Sequence, residues 1–445
     1  RSENAFAVRM TYNDCTSVSN PAEHYFPDGA LINEQRNMSE NWTIRTQLNY
    51  RRNFDGDKHR VTALIGNEVR RQTYDYNTLA SRAGYNSVAG SFIPVNIKDY
   101  NSGVYNSDML MQGSRMISSL NQGSYSYRDN RFVSYYGNAS YEYDNRYILS
   151  GSIRLDLTNF FGTDPKYRYK PLWSVGGTWK LGNEKFFNVS WIDRLNVRAS
   201  YGINGNISLD QGPFLILSAG SYNSTTGGVS YGVASPPNNQ LRWEKTETVN
   251  LGLDLSFLKN RLNLSFDYYN KRSTDLLASD AIDPTTGYSS LTKNVGAITN
   301  NGIEVSVDAT PIKKKDFSWN IVYNIAYNHN KVNTYNVTRN YANSYAMASA
   351  INVAGYPADG LWGYRFAGLN NLGEAQVYNA KNEKINPGNA TVDDVVYLGS
   401  TRPKVDMSLT NRFSYKDWDL SFMFIAKLGH KYRKDCFSGS NIQNR

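Results

Sequence analysis

The segment "LRWEKTETVNLGLDLSFLKNRLNLSFDYYNKRSTDLL" (241–277) constrains the fold more than any other stretch. Val249, Leu251, Leu253, Leu255 and Phe257 alternate with Asn250, Gly252, Asp254 and Ser256, and no helical period fits them. After a tight "LKN" the pattern resumes, with Leu262, Leu264, Phe266 and Tyr268 set against Asn263, Ser265 and Asp267. Side chains alternate across a strand with period two, so these are two half-buried strands joined by a hairpin.

The same pattern marks twelve strands, at about 42–50, 59–71, 131–143, 147–157, 171–180, 194–203, 245–257, 261–275, 301–309, 317–328, 404–413 and 418–427. The intervals between them alternate short and long. In an antiparallel meander every second connection lies on the same rim, so one rim carries tight turns and the other carries the insertions 72–130, 204–244 and 329–403. Outer-membrane barrels have this asymmetry, with short periplasmic turns and long extracellular loops. Strands of ten or more residues exceed the usual five or six of a soluble sandwich or propeller, the competing all-β architectures. Tyr135, Tyr141, Tyr143, Trp173 and Trp179 sit near strand ends, where interfacial aromatic girdles lie.

Composition agrees. The chain of 445 residues is hydrophilic on average yet carries 34 Tyr, 18 Phe and 8 Trp. No run approaches the roughly 18 apolar residues of a membrane helix, but half of every barrel strand faces water, so low mean hydropathy is compatible with a transmembrane barrel. The chain opens at Arg1 with no recognisable signal peptide, and is read as a fragment or processed chain. Cys15 and Cys436 make neither a disulfide framework nor a metal site, and are read as isolated thiols or one incidental bridge. The net charge of +9 comes without any nucleic-acid-binding signature, and Lys313, Lys314 and Lys315 are expected on a turn, so no nucleic-acid partner is expected.

Catalytic chemistry is not visible. His24, His59, His329 and His430 show no metal-ligand pairing, and no nucleophile elbow, phosphate loop or dinucleotide fingerprint occurs. The expectation is a non-enzyme without cofactor or metal. Carboxylates such as Asp254, Asp267, Glu304 and Asp308 fall on the polar faces of strands, where they line a polar lumen or an ordinary solvated face.

Particular residues add a resemblance. The opening stretch closely resembles the W-E-x-T-x-x-x-N-x-G-x-D block of the SusC-like (RagA-like) branch of TonB-dependent outer-membrane transporters, with Trp243, Glu244, Thr246, Asn250, Gly252 and Asp254 in place. "LNVRASYGINGN" (195–206) resembles its L-x-x-R-x-S-Y-G-x-x-G-N, with Arg198, Tyr201 and Gly202. "NVGAITNNGIEVSVDATPIKKKDFSWNIVYNIAYNHNKV" (294–332) resembles its N-x-G-x-I-x-N-x-G-I-E block, with Gly302 and Glu304, and 397–422 resembles a strand pair near the C-terminal end. In "IRLDLTNFFG" the pattern R-x-D-G-S-S-x-F-G keeps Arg154, Asp156, Phe161 and Gly162 but replaces Gly-Ser-Ser by Leu157, Thr158 and Asn159, which points to a changed turn.

The resemblance implies a multi-pass, 22-stranded antiparallel β-barrel in the outer membrane of a Gram-negative bacterium. Residues 1–445 then form part of its wall, without the N-terminal plug, the TonB box and the final strands. It also implies active import of a large nutrient, an oligosaccharide or a peptide, under a SusD-like surface lipoprotein and with energy from the TonB-ExbB-ExbD complex. Ligand contacts are expected from loop aromatics and amides, with Trp362 and Tyr364 of "GYPADGLWGYRFAGL" (355–369) as candidates; the alternative is that these rings pack the loop or meet the lid. A siderophore or corrinoid receptor on the same barrel and a surface adhesin or passive porin are the competing functions.

Overall fold

A computed structural model describes residues 30–79, 82–92, 104–106, 113–115, 123–159, 169–208, 212–223, 225–288, 290–335 and 341–434. Cys15, Cys436, His24, Phe161 and Gly162 lie outside the described residues.

Twelve strands form one sheet whose order follows the chain. They are β1 (Gln35–Phe54), β2 (His59–Thr78), β3 (Ser124–Tyr143), β4 (Tyr147–Thr158), β5 (Leu172–Lys180), β6 (Ile192–Asn206), β7 (Glu244–Phe257), β8 (Leu262–Ala281), β9 (Ser290–Lys313), β10 (Phe317–Thr334), β11 (Val405–Tyr415) and β12 (Trp418–Leu428). Each matches a strand read from the alternation. Every pairing from β4 to β12 is antiparallel.

Contacts divide the chain into two units, residues 1–44 with 69–132, and residues 45–68 with 133–445. In the first, Arg71 grips the carboxylate of Asp129 through two hydrogen bonds of 3.0 and 3.1 Å, and short strands Ala30–Ile32, Arg82–Asn86 and Ser91–Phe92 form a small sheet. The second unit carries the remaining features.

The tight turns all lie on one rim. Leu258, Lys259 and Asn260 take positive φ of 56°, 60° and 59°, a left-handed run that reverses the chain between β7 and β8. Asp193 steadies it by accepting the Asn260 N–H at 2.9 Å. Asp144 and Asn145 take the same conformation between β3 and β4, as Asn and Asp tolerate best. Lys314 and Lys315 lie on the turn between β9 and β10, as expected, and Lys313 ends β9.

Register puts one kind of side chain on each face. On the apolar face a continuous row runs Val197, Leu253, Phe266, Val305, Ile325, Met407 and Ala426. One residue along each strand, on the other face, the row reads Arg198, Gly252, Asp267, Glu304, Ala326, Asp406 and Lys427. The apolar set is not tucked into a core: Leu251 is 49% and Phe424 is 63% exposed to solvent. A contiguous apolar surface of this kind is what a lipid-facing wall presents and what a water-soluble sheet avoids. From Val249 to Phe257 it covers eight residue steps, ~26 Å along the strand, or about 20 Å upright at a ~40° tilt, most of a ~25 Å lipid band.

Aromatic rings gather beside the tight turns. Phe54 stacks on His59 at 5.1 Å, Tyr143 lies 6.5 Å from Tyr147, Tyr147 6.4 Å from Trp179, and Trp191 stacks on Phe257 at 5.5 Å. Aromatic girdles of this kind are what outer-membrane barrels carry at the lipid–water interface.

The opposite rim departs from the sequence reading in two places. Interval 276–300 is not a loop: β8 and β9 continue through it to the pair Ala281 and Ser290, with a bulge between Ser273 and Leu276 where Asp275 takes φ 57°. The insertion 329–403 holds a folded subdomain. There Lys384–Ile385, Ala375–Tyr378, Gly360–Leu369 and Val395–Ser400 form a four-stranded sheet beside a short helix, Ala342–Ala346.

Candidate functional site

The family-motif residues are brought together as braces of the wall. Arg198 on β6 lies beside Gly252 of β7 and donates to Asp254 at 2.9 and 3.1 Å and to Asp267 of β8 at 3.1 Å. A Cβ on Gly252 would stand 2.6 Å from the guanidinium carbon, so the glycine is what lets one arginine reach two carboxylates. Tyr269 plays a similar part over Gly302, where a Cβ would run into the ring. Glu244 accepts the Leu277 N–H at 3.0 Å and the Asn206 amide at 3.0 Å, tying the start of β7 to β8 and to the end of β6. The Trp243 ring approaches Gly205, and Gly202 pairs with Ser174 of β5 while Tyr201 meets Trp173 edge-on at 5.5 Å. Asn250 lies between Ser200 and Tyr269 in the register, and its side-chain oxygen is buried without a hydrogen-bond partner. Arg154 and Asp156 join each other at 2.8 and 2.9 Å, with Ser134 donating to the same aspartate.

The insertion between β10 and β11 supplies a second kind of surface. Its core contains Trp362, 7% exposed, with Ala342, Ile351 and Val395. Tyr345, Tyr356 and Tyr397 meet the indole edge-on at 5.9, 4.8 and 5.5 Å. Trp362 is therefore largely enclosed by its own subdomain. Tyr364 is half-buried and lines a hollow of about 610 Å³ with exposed Tyr341, Asn343, Pro387, Thr391 and Asp393. Burial raises the phenols of Tyr364 and Tyr397 above their ordinary pKa.

Asp394 fastens the lower edge of this subdomain. Its carboxylate accepts the backbone N–H groups of Thr391 and Ala380, both at 2.7 Å, and the Thr391 hydroxyl at 2.9 Å. Those backbone donors, Thr391 first, hold Asp394 below the usual carboxylate range. The whole insertion is docked on β10. Val332 exchanges backbone hydrogen bonds with Tyr356 and Gly355 at 2.8 Å each, Asn330 accepts the Ala358 N–H at 2.6 Å, and Val332 is left 1% exposed.

Under this docked insertion lies a polar cleft of about 480 Å³ lined by Asn300, Asn330, Asp359, Arg402, Lys404 and Lys427, among others. Sequence reasoning missed it, because its walls come from β9, β10, β11, β12 and the insertion, and only the folded chain assembles them. Among the described residues, no three His, Cys, Asp or Glu side chains stand together as a metal site.

Comparisons with known proteins agree with this architecture. The family model "TonB dependent receptor-like, beta-barrel" matches residues 11–424. The chain is 30% identical over 337 residues to the TonB-dependent receptor SusC of Bacteroides thetaiotaomicron, covering 69% of this chain and 32% of that protein. It is 32% identical over 318 residues to a TonB-dependent receptor of Formosa agariphila, covering 70% of this chain and 28% of that protein. Among solved structures, the RagAB peptide importer in its open-open state superposes with a TM-score of 0.73 at 21% identity, over 91% of this chain and 43% of that one, a likeness of fold. The chain thus spans about a third of these two curated relatives. With its twelve-stranded meander, lipid-type apolar face and matching motifs, the chain belongs to the TonB-dependent receptor β-barrel family of the outer membrane, in its SusC-like branch.

Proposed function

We propose that this chain supplies barrel wall and extracellular surface to an active importer of large nutrients, an oligosaccharide or a peptide. A SusD-like surface lipoprotein closes over the loop rim, and the TonB-ExbB-ExbD complex supplies the energy through parts of the protein outside this chain. The observation that carries the reading is the 30% identity to SusC across 69% of the chain. The arrangement of the second unit supports it: a polar strand face leads up to a folded, aromatic-rich insertion rather than to plain connecting loops.

In this reading residues 1–445 are wall, and Trp243, Glu244, Asn250, Gly252, Asp254, Arg198, Tyr201, Gly202, Gly302, Glu304, Arg154 and Asp156 are structural. Tyr364, with Tyr341 beside it, is the ring surface offered to a ligand, and Trp362 holds that surface in place.

The test is affinity purification of the full-length protein from detergent-solubilised outer membranes, followed by mass spectrometry. A stoichiometric surface lipoprotein of the lid type is the expected result. An intact, folded barrel that brings none, and whose uptake activity persists without TonB, would instead favour a stand-alone receptor, an adhesin or a passive porin.

A further inference from the structure

The apolar face of the wall changes character in steps toward the rim that carries the insertions, the extracellular rim of an outer-membrane barrel. Tyr268 of β8, Ile303 of β9 and Tyr327 of β10 stand in one register row at the end of the apolar set. Two residues further along each strand the row reads Asn270, Asn301 and His329, and two further again Arg272, Thr299 and Lys331. Side chains alternate with period two, so these rows lie on the same face as Phe266, Val305 and Ile325, the face turned to lipid.

The neutral groups of these rows are already engaged. Asn270 donates to Asn301, and Asn333 donates to the Thr299 hydroxyl at 2.6 Å. The cations are not. Arg272 and Lys331 are exposed, and neither is in a salt bridge among the described residues. Glu247 of β7 is the register partner of Arg272, but Lys245 already holds its carboxylate at 2.5 Å. Lys245 lies four residues beyond Val249, the end of the apolar set on β7, as Arg272 lies beyond Tyr268 and Lys331 beyond Tyr327. Three strands thus bring a cation to the same step above the lipid, against one carboxylate.

The depth suits a lipid headgroup. Four residues of strand rise ~13 Å, or about 10 Å upright at a ~40° tilt, and the polar zone beside the hydrocarbon is about 5–8 Å deep. Long cationic side chains lean back across the difference, stems on apolar surface and charges in the headgroups. Arg272 and Lys331 flank Thr299 two strand spacings apart, ~9.6 Å. A guanidinium fork and an ammonium at that separation can close on one phosphate.

We infer that Arg272 and Lys331 form a seat for a phosphate of the outer-leaflet glycolipid, the phosphorylated glucosamine lipid of Gram-negative outer membranes. Two features select this occupant. The seat continues the lipid-facing wall without a break, and its unmatched positive charge complements a phosphate. The seat lies on the face away from the lumen, so nothing that fills the barrel covers it. The inference depends on how the wall sits in the membrane and not on what is imported.

The test uses the full-length protein with whatever lipoprotein co-purifies, in detergent, with bound lipid counted by native mass spectrometry. The probes are bis-phosphorylated lipid A, the same lipid stripped of its phosphates, phosphatidylglycerol and inorganic phosphate. Lipid A should bind about twenty-fivefold tighter than its stripped form, about fivefold for each cation, and the preference should shrink at high salt. Arg272→Gln and Lys331→Gln should each remove about fivefold, and together the whole preference, while binding of the stripped lipid stays unchanged. Heat-modifiable gel migration checks that the variants remain folded. Equal binding of the two lipid A forms, or a preference that survives in the double variant, would overturn the seat. Phosphatidylglycerol or inorganic phosphate binding as tightly as lipid A would overturn the choice of occupant, as would variants that change the oligomeric state and not lipid binding. Loss of TonB-dependent uptake would strike the import reading and leave the seat standing.

Discussion

Arg198 and Asp254 meet diagonally across the β6 and β7 pair, joined by two hydrogen bonds of 2.9 and 3.1 Å, with Gly252 as the register partner of Arg198. The arginine of one sequence block and the Gly-x-Asp of another, whose aspartate lies 56 residues on, are thus two halves of one brace, and Asp267 on β8 extends it to a third strand. Arg198→Ala leaves two carboxylates facing each other without a counter-charge. The expected cost is about 1–2 kcal/mol, held down by partial exposure to water. Arg198→Lys should recover little, because an ammonium cannot fork between two partners. Denaturant midpoints of the full-length barrel in micelles measure this, and a double-mutant cycle with Asp254→Ala isolates the pair.

The ring of Tyr269 covers Gly302 so closely that no side chain fits beneath it. Gly302→Ala must displace a ring that is 8% exposed, at about 1–3 kcal/mol. Combined with Tyr269→Ala, which opens the space, the double variant should cost less than the sum of the two single costs. Additive losses would show that the ring and the glycine are independent.

Trp362→Ala should empty the core of the 341–403 insertion at a cost of about 3–5 kcal/mol, confined to that subdomain. Limited proteolysis should then cut within the insertion while the wall keeps its heat-modifiable gel migration. Tyr364→Ala, at the rim of the hollow, should leave protease resistance nearly unchanged and instead weaken ligand capture. The reverse pattern would exchange the roles given to the two residues.

The insertion should also loosen in acid. Asp394 is held below the usual carboxylate range in the folded state, so its contribution is complete above its unfolded pKa of about 3.9 and is lost as pH falls through the folded value. Hydrogen exchange of the Ala380 and Thr391 amides, corrected for intrinsic rates, should show protection at pH 6 that declines toward pH 3. Asp394→Asn should lose that protection at pH 6 and flatten its pH dependence, since the amide brings N–H groups where backbone N–H groups need an acceptor.

The wall was legible because lipid on one side and water on the other impose period two on every strand that crosses. Beyond the lipid both faces are wet, the alternation fades, and the reading stopped short. So β1 begins at Gln35 rather than 42, β3 at Ser124 rather than 131, and β8 and β9 run on through the supposed loop. The 341–403 subdomain was hidden for a different reason. Its strands are short and its core is assembled from distant aromatics, so "GLWGYRF" reads as a loop motif although Trp362 is buried. The motif residues were legible in position through resemblance, but their partners came only from the register: nothing local in "VRASYG" says that Arg198 reaches Asp267.

The most direct test of the account is the alternation itself in native outer membranes. Single cysteines would be placed along β9 and β12, in full-length protein with Cys15 and Cys436 replaced by serine. Ile303, Val305, Phe422 and Phe424 should be reached only by a bilayer-soluble maleimide, with an apolar emission signature. Glu304, Ser306, Ser421 and Met423 should react with a charged, water-soluble one. Equal reaction of both sets with the charged reagent would contradict a lipid-facing wall, and with it the importer built on that wall.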